Sequence, residues 1–321
     1  MIIVSRWMRR VFLANLVAQS AIVVTGAVVR LTGSGLGCPT WPECVEGSYV
    51  PVARQEESWH KLVEFGNRLL TFAVGIIAIL ALIAVIIYTV RRVRSGAPVR
   101  YSILLLGIAP LVGTFAQAVL GGITVLTGLH PATVGLHFLV SIALIAAAVA
   151  LVVRARDADD SPIVFLVRKE VRVYTWALIA VTGLVIILGV ITTGSGPHSG
   201  DAESELRFPF DPRTVSWLHA DVVLLFIGML IGYLILLRVL KAPQRSWRQA
   251  VLLAGITIVQ AVVGYTQYFS GLPVLLVSVH VTLACLLWIA VLFVPSTLRT
   301  RGISSQKTNG STATARKSRA R

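Results

Sequence analysis

Apolar residues run along this chain in long uncharged blocks, without the alternation of a half-buried strand or the polar face of a surface helix. Val11 to Val29 is one block and Leu69 to Val90 is another. Tyr101 to Val153 and Gln249 to Leu298 are each long enough for two membrane helices, since about 20 apolar residues cross the hydrocarbon core. His130-Pro131 and Leu272-Pro273 supply the breaks inside them. Val173 to Thr193 and Val215 to Leu237 complete a set of eight predicted helices. Lipid offers no hydrogen bonds to a bare backbone, so an all-α integral membrane bundle is the expected class. A membrane barrel is excluded, because its strands would alternate apolar and polar positions. The first block lacks a small-residue cleavage site where a signal peptide needs one, and it is kept as the first helix.

Composition agrees: 56% of residues are hydrophobic and 13% charged, against about 25% charged in soluble domains. The net charge of +15 raises nucleic acid as a partner, but its distribution argues against one. With the N-terminus in the cytoplasm, the inner segments are those around Arg6 to Arg10, Arg91 to Arg100, Arg154 to Arg172, Arg238 to Arg248, and the C-terminal tail. They hold 23 of the 29 Lys/Arg and 4 of the 14 Asp/Glu. That is a positive-inside pattern at every loop, with both termini cytoplasmic and a plasma-membrane location. Residues 299–321 are expected to form a disordered basic tail near anionic lipid.

The chain repeats itself. Gln117 to His137 and Gln260 to His280 align without a gap at an offset of 143, with 8 of 21 positions identical, the terminal histidine among them. "LTGSGLGCP" from Leu31 echoes "TTGSGPHSG" from Thr192. Each half holds an even number of helices, so both insert in the same direction. The expectation is two four-helix bundles related by a pseudo-twofold axis along the membrane normal. The boundaries are residues 1–155 for the first half, 156–172 for a cytoplasmic linker, and 173–298 for the second half.

Four of the six histidines fall at or near the outer end of an inward-running helix: His60, His137, His219 and His280. Ionisable side chains inside a membrane bundle are costly and mark functional sites by default. A pair of imidazoles on facing helices suits a haem iron with two axial ligands. The alternative is that each histidine satisfies a backbone carbonyl. Zinc would want Cys, Asp or Glu beside them, which the interiors scarcely offer. His130 and His198 fall in outer loops and receive no ligand role.

Around the second helix, Glu57, His60, Glu64 and Asn67 share one face if the helix begins that early. A carboxylate there suits an acid, a base or a charge partner. Cys38 and Cys44 lie in the first outer loop, where thiols can be oxidised, and two intervening prolines let the chain bend them together. A disulfide is expected, acting either as a staple or as a pair that cycles. Cys285 is read as a small packing residue in the last helix.

"TGSGLGCPTWPEC", the helix-two "EFGNR", "GGITVLTGLHPATVGLH" and the histidines opening the sixth and eighth helices together resemble the haem A synthase family, in an actinobacterial-type member. The resemblance spans nearly the whole chain except the tail. It implies oxidation of a methyl group of haem O to a formyl group, giving haem A for cytochrome oxidase. It implies a haem b held by His219 and His280 in the second half, and a substrate haem in the first half with His137 as one ligand. The cysteine pair matches one proposed to serve redox turnover or the substrate side. Haem O synthase enters as a candidate partner, along with an electron acceptor that the resemblance does not identify. One departure stands out. The common helix-two motif Glu-x-x-His-Arg reads here Glu64-Phe-Gly-Asn67-Arg68. Either His60 acts as ligand from two turns earlier, or the substrate haem is held differently. By motif Glu64 is favoured over Glu57 as the important carboxylate. The competing classes are a dihaem cytochrome b that passes electrons from quinol to a partner, and a transporter, although the broken midplane helices of transporters are missing from the sequence.

Overall fold

The computed structural model describes residues 4–53, 55–157, 161–198, 200–201 and 206–301. Eight helices fill them: α1 (Arg6–Leu31), α2 (His60–Arg94), α3 (Tyr101–Leu126), α4 (Pro131–Arg156), α5 (Lys169–Ser195), α6 (Pro212–Val239), α7 (Gln244–Phe269) and α8 (Val274–Thr297). All eight are long and apolar enough to cross a membrane, and the chain is a multi-pass membrane protein. Phe72, Phe115, Phe269 and Leu275 are each more than 70% exposed on the bundle exterior, where lipid would cover them. One end of the bundle carries the cysteine loop between α1 and α2. The other collects arginines in the last turns of α2, α4 and α6, where cations complement the helix dipole.

Each half closes on itself. α1 and α3 both pack on α2 and α4, and α5 and α7 both pack on α6 and α8. The diagonal pairs α2/α4 and α6/α8 make no comparable contact and face each other across their bundles. Small residues set the close approaches. Ala78, Ala81 and Ala84 of α2 are fully buried, and a Cβ on Gly107 or Gly113 of α3 would overlap Val85 or Leu144. The repeat extends to the backbone. Gly128-Leu129 and Gly271-Leu272 both take left-handed angles after α3 and α7. Leu129 N–H bonds to Thr124 at 2.9 Å and Leu272 N–H to Gln267 at 2.8 Å, closing the same helix-ending turn. A leucine in this conformation costs roughly 1–2 kcal/mol; the helix-terminal hydrogen bonds offset it.

The halves meet through α1 with α8, α4 with α5, and α4 with α8. Trp288 Nε1 of α8 donates to the Ile142 carbonyl of α4 at 3.0 Å. Cys285 is buried within the first-half core, as expected of a packing residue. At the cysteine end, Arg30 of α1 reaches across to the second half and donates to His198 O at 2.9 Å and Thr193 O at 3.1 Å. At the arginine end, β1 (Val164–Phe165) pairs antiparallel with β2 (Arg299–Thr300). Residues 299 and 300, assigned to a disordered tail by composition, are therefore ordered. The strand pairing is reinforced by Asp157, which holds Arg299 and Arg301 at 3.4 and 3.6 Å. The expectation for residues 302–321 lies outside the described residues.

Candidate functional site

Three histidines occupy matching register positions near the starts of α4, α6 and α8. His137 is the seventh residue of α4 and His280 the seventh of α8, counting from Pro131 and Val274; His219 is the eighth of α6, counting from Pro212. Each ring rests against a glycine on the preceding helix. A Cβ added to Gly121 would lie 3.4 Å from His137 Cε1, one on Gly189 3.3 Å from His219 Cε1, and one on Gly264 3.1 Å from His280 Cε1. In every case the next-nearest ring atom is Nδ1. The Nδ1–Cε1 edge therefore faces the neighbouring helix. Among the described residues, Nδ1 of His137 and of His280 is buried without a hydrogen-bond partner, whereas His219 has the backbone of Val185 on α5 within reach. Nδ1 of His137 and of His280 thus meets no backbone carbonyl among the described residues. Nε2, also bonded to Cε1, lies beyond 4 Å from each of these Cβ positions.

The last helix pair of each half repeats a second device. Gln117 of α3 donates to His137 O at 2.9 Å, and Gln260 of α7 donates to His280 O at 3.1 Å. Gln117 also reaches Ser141 Oγ, and Gln260 Nε2 sits 3.2 Å from His280 Nε2. Each glutamine stands one turn before its glycine, so α3 and α7 each supply a spacer and a brace to the histidine opposite.

The second element is the cysteine loop. Cys38 and Cys44 form a disulfide, with Cα atoms 4.4 Å apart. Beneath it, Glu64 of α2 is buried, 6% exposed. Its Oε2 accepts from the Cys38 N–H at 2.6 Å, and its Oε1 accepts from Arg68 Nη2 at 2.7 Å and Nε at 3.1 Å. Arg68 also donates to the carbonyls of Cys38 (2.9 Å), Thr40 (3.0 Å) and Glu43 (3.2 Å). A charge pair one turn apart on α2 thus holds the loop through its backbone. Trp41 packs so tightly on α3 that a Cβ on Gly122 would overlap its ring. Gly122 adjoins Gly121, the rest for His137. The loop therefore touches the two helices on either side of the first-half site.

His60 and Glu57 sit apart from these positions. α2 begins at His60, and Ser58 before it takes a left-handed φ of +47°. The helix does not extend back to Glu57, so the shared face from Glu57 to Asn67 holds only from His60 onward. Glu57 Oε2 is buried without a partner among the described residues. His60 Nδ1 is 2.8 Å from Ser34 Oγ, and its ring stacks on Trp59. Asn67, the eighth residue of α2, accepts from Thr25 Oγ1 of α1 at 2.7 Å. The outer-loop histidines have local tasks. His130 caps α4, and His198 Nε2 lies 3.0 Å from Leu272 O. Asp211 caps α6; hydrogen bonds from the Thr214 hydroxyl and backbone hold its carboxyl below the usual carboxylate range.

Sequence reasoning singled out the histidines, Glu64 and the cysteines. It missed Arg68 as the loop's anchor, Arg30 as a bridge between halves, and the glycines as rests for the rings. The aligned pairs Gln117/Gln260 and Gly121/Gly264 in the repeat carried the glycine signal.

The chain matches the family described as Cytochrome oxidase assembly protein (COX15-CtaA) over residues 9–292. It is 28% identical over 302 residues to a heme A synthase of Lysinibacillus sphaericus (strain C3-41), covering 90% of this chain and 92% of that relative. It is 24% identical over 271 residues to a heme A synthase of Bacillus licheniformis, covering 80% and 84%. A heme A synthase of Bacillus cereus (strain 03BB102) is 25% identical over 270 residues, covering 81% and 83%. The match runs through all eight helices, the cysteine loop and the glycine-backed histidines, and the chain belongs to this family of cytochrome oxidase assembly proteins.

Proposed function

We propose that this chain is a haem A synthase, which oxidises a methyl group of haem O to a formyl group and so supplies haem A for cytochrome oxidase. The observation that carries the reading is the set of glycine-backed histidines in an eight-helix membrane bundle. A haem with a long isoprenoid tail belongs in such an interior rather than in water. The residues fit a haem. Three buried imidazoles turn their Nδ1–Cε1 edges to a neighbouring helix, which makes Nε2 the nitrogen for iron in this reading; at His280 the Gln260 amide, 3.2 Å from Nε2, would have to yield to it. His219 and His280 on the diagonal pair α6/α8 are the ligands for a resident haem b, which supplies one-electron relay when bound. His137 is a ligand to the substrate haem.

The net change takes four electrons from the methyl carbon and passes them to the electron acceptor: the methyl group and one water become the formyl group, four protons and four electrons, by two successive hydroxylations and loss of water from a geminal diol. Glu64 is a positioning residue in this reading: both of its oxygens are engaged by Arg68 and the Cys38 N–H. It fixes the loop beside the first-half site, and Glu57 is the carboxylate left with an unpartnered oxygen. The arginines at one end favour a plasma-membrane protein with cytoplasmic termini. Haem O synthase is a partner by supply of substrate, and the electron acceptor is a second partner.

The test is extraction of the haem from protein purified from a host with a haem O source, followed by chromatography and mass identification. Haem b together with haem O, its alcohol or haem A is the expected result. Haem b alone would overturn the synthase reading in favour of an electron-transfer cytochrome b.

The glycine rests give a sharper expectation. Gly264→Val is expected to push His280 out of position and to remove the spectrum of a bis-imidazole haem. Overpacking of this kind costs about 1–3 kcal/mol. Gly255→Val on the same helix, where a Cβ meets nothing within 4 Å, is expected to leave the spectrum unchanged. Equal effects from both would refute the role of the rest.

A further inference from the structure

The set of glycine-facing positions has a fourth member, and asparagine fills it. Three helix pairs present a glycine facing an imidazole: α3/α4, α5/α6 and α7/α8. The remaining pair, α1/α2, presents Gly26 facing Asn67, with a Cβ on Gly26 lying 3.9 Å from Asn67 Nδ2. The longer distance is what a shorter side chain leaves. The register agrees. Asn67 is the eighth residue of α2, as His219 is the eighth of α6, counting from His60 and Pro212. His60 opens α2, seven residues before Asn67. That puts it about 10 Å outward along the helix axis, where it is engaged with Ser34 and Trp59.

We propose that a haem in the first half has His137 as its one imidazole ligand and an open axial face at Asn67. The proposal rests on the reading that these positions bind haem. An amide is a poor ligand for haem iron beside an imidazole, and the Asn67 carboxamide is already tied to Thr25 at 2.7 Å. The two halves then differ in kind. The second holds its haem between two imidazoles, the arrangement suited to electron relay. The first leaves one axial face free for water or a small ligand, bordered by an amide that can hydrogen-bond to it.

The experiment uses full-length protein, purified and then titrated to saturation with ferric haem b. Electron paramagnetic resonance and absorption spectra read the spin state, and carbon monoxide is added after reduction. The expected result is a high-spin haem beside a low-spin one, with carbon monoxide binding only the first. Asn67→His is expected to convert the high-spin signal to low-spin and to abolish carbon monoxide binding. His60→Ala is expected to leave both signals as they are. Only low-spin haem in the unmodified protein would overturn the proposal. So would a high-spin signal created by His60→Ala, one that persists in Asn67→His, or saturation at a single low-spin haem. Haem A formation in the host is scored separately: its loss in the unmodified protein sinks the synthase reading, whereas the spin states test the ligand set.

Discussion

His280→Ala is expected to purify without its second-half haem and to form no detectable haem A, while still inserting in the membrane. The side chain lies near the start of α8 against Gly264, and its backbone carbonyl is braced by Gln260. The substitution leaves the helix and that brace in place. What it would remove, on the proposed reading, is a haem ligand. A bound group that engages only the folded state adds stability by mass action, about 2.7 kcal/mol at a free concentration 100 times its dissociation constant. The melting temperature of the haem-loaded protein is therefore expected to fall in the variant, and that of the haem-free protein to stay close to the parent. Haem stoichiometry by pyridine haemochrome together with the two melting curves makes the check. Full haem occupancy in His280→Ala would assign the ligand elsewhere.

Arg68→Ala is expected to produce the largest structural loss of any single change at the cysteine end. Arg68 is 21% exposed and its partner Glu64 carboxylate 7% exposed. Removing one member of a buried pair costs about 3–5 kcal/mol, because the other is left uncompensated. Here three loop carbonyls also lose their donor. The Cys38–Cys44 disulfide should become reducible under mild conditions that leave the parent protein oxidised, as measured by mass-tagged alkylation. Glu64→Gln keeps the volume and is expected to fall between the parent and Arg68→Ala, since the two donors engage different carboxylate oxygens and the amide NH2 that replaces one of them would face either Arg68 or the Cys38 N–H. A disulfide in Arg68→Ala as well protected as in the parent would mean that the clamp does not hold the loop.

The eight helices were legible because lipid imposes so strict a demand: charge must leave the spans, and its absence marks them. The repeat made the matching register of His137 and His280 legible too, since both close the same aligned segment. The position of His60 was not. Its distance from Asn67 along a helix is fixed, but which of them faces a glycine on the preceding helix depends on how α2 packs on α1, and there Gly26 meets Asn67. Arg68 and Arg30 act on backbone carbonyls 25 to 30 and 163 to 168 residues away. A bond to a carbonyl leaves no trace in the identity of the residue that accepts it. The same limit applies to β2: composition marks Arg299 and Arg301 as basic and thus solvated, whereas Asp157 and the strand pairing order them.

That return of the chain after α8 has a mechanical consequence. Residues 299–301 do not leave from the outer edge of the second half; they dock on Asp157, which follows α4, and on the segment that joins the halves. The exit of α8 is thereby tied, through Asp157 and β1, to the end of α4 and to the segment between the halves, so the two halves are cross-linked at this end by the chain that leaves the second.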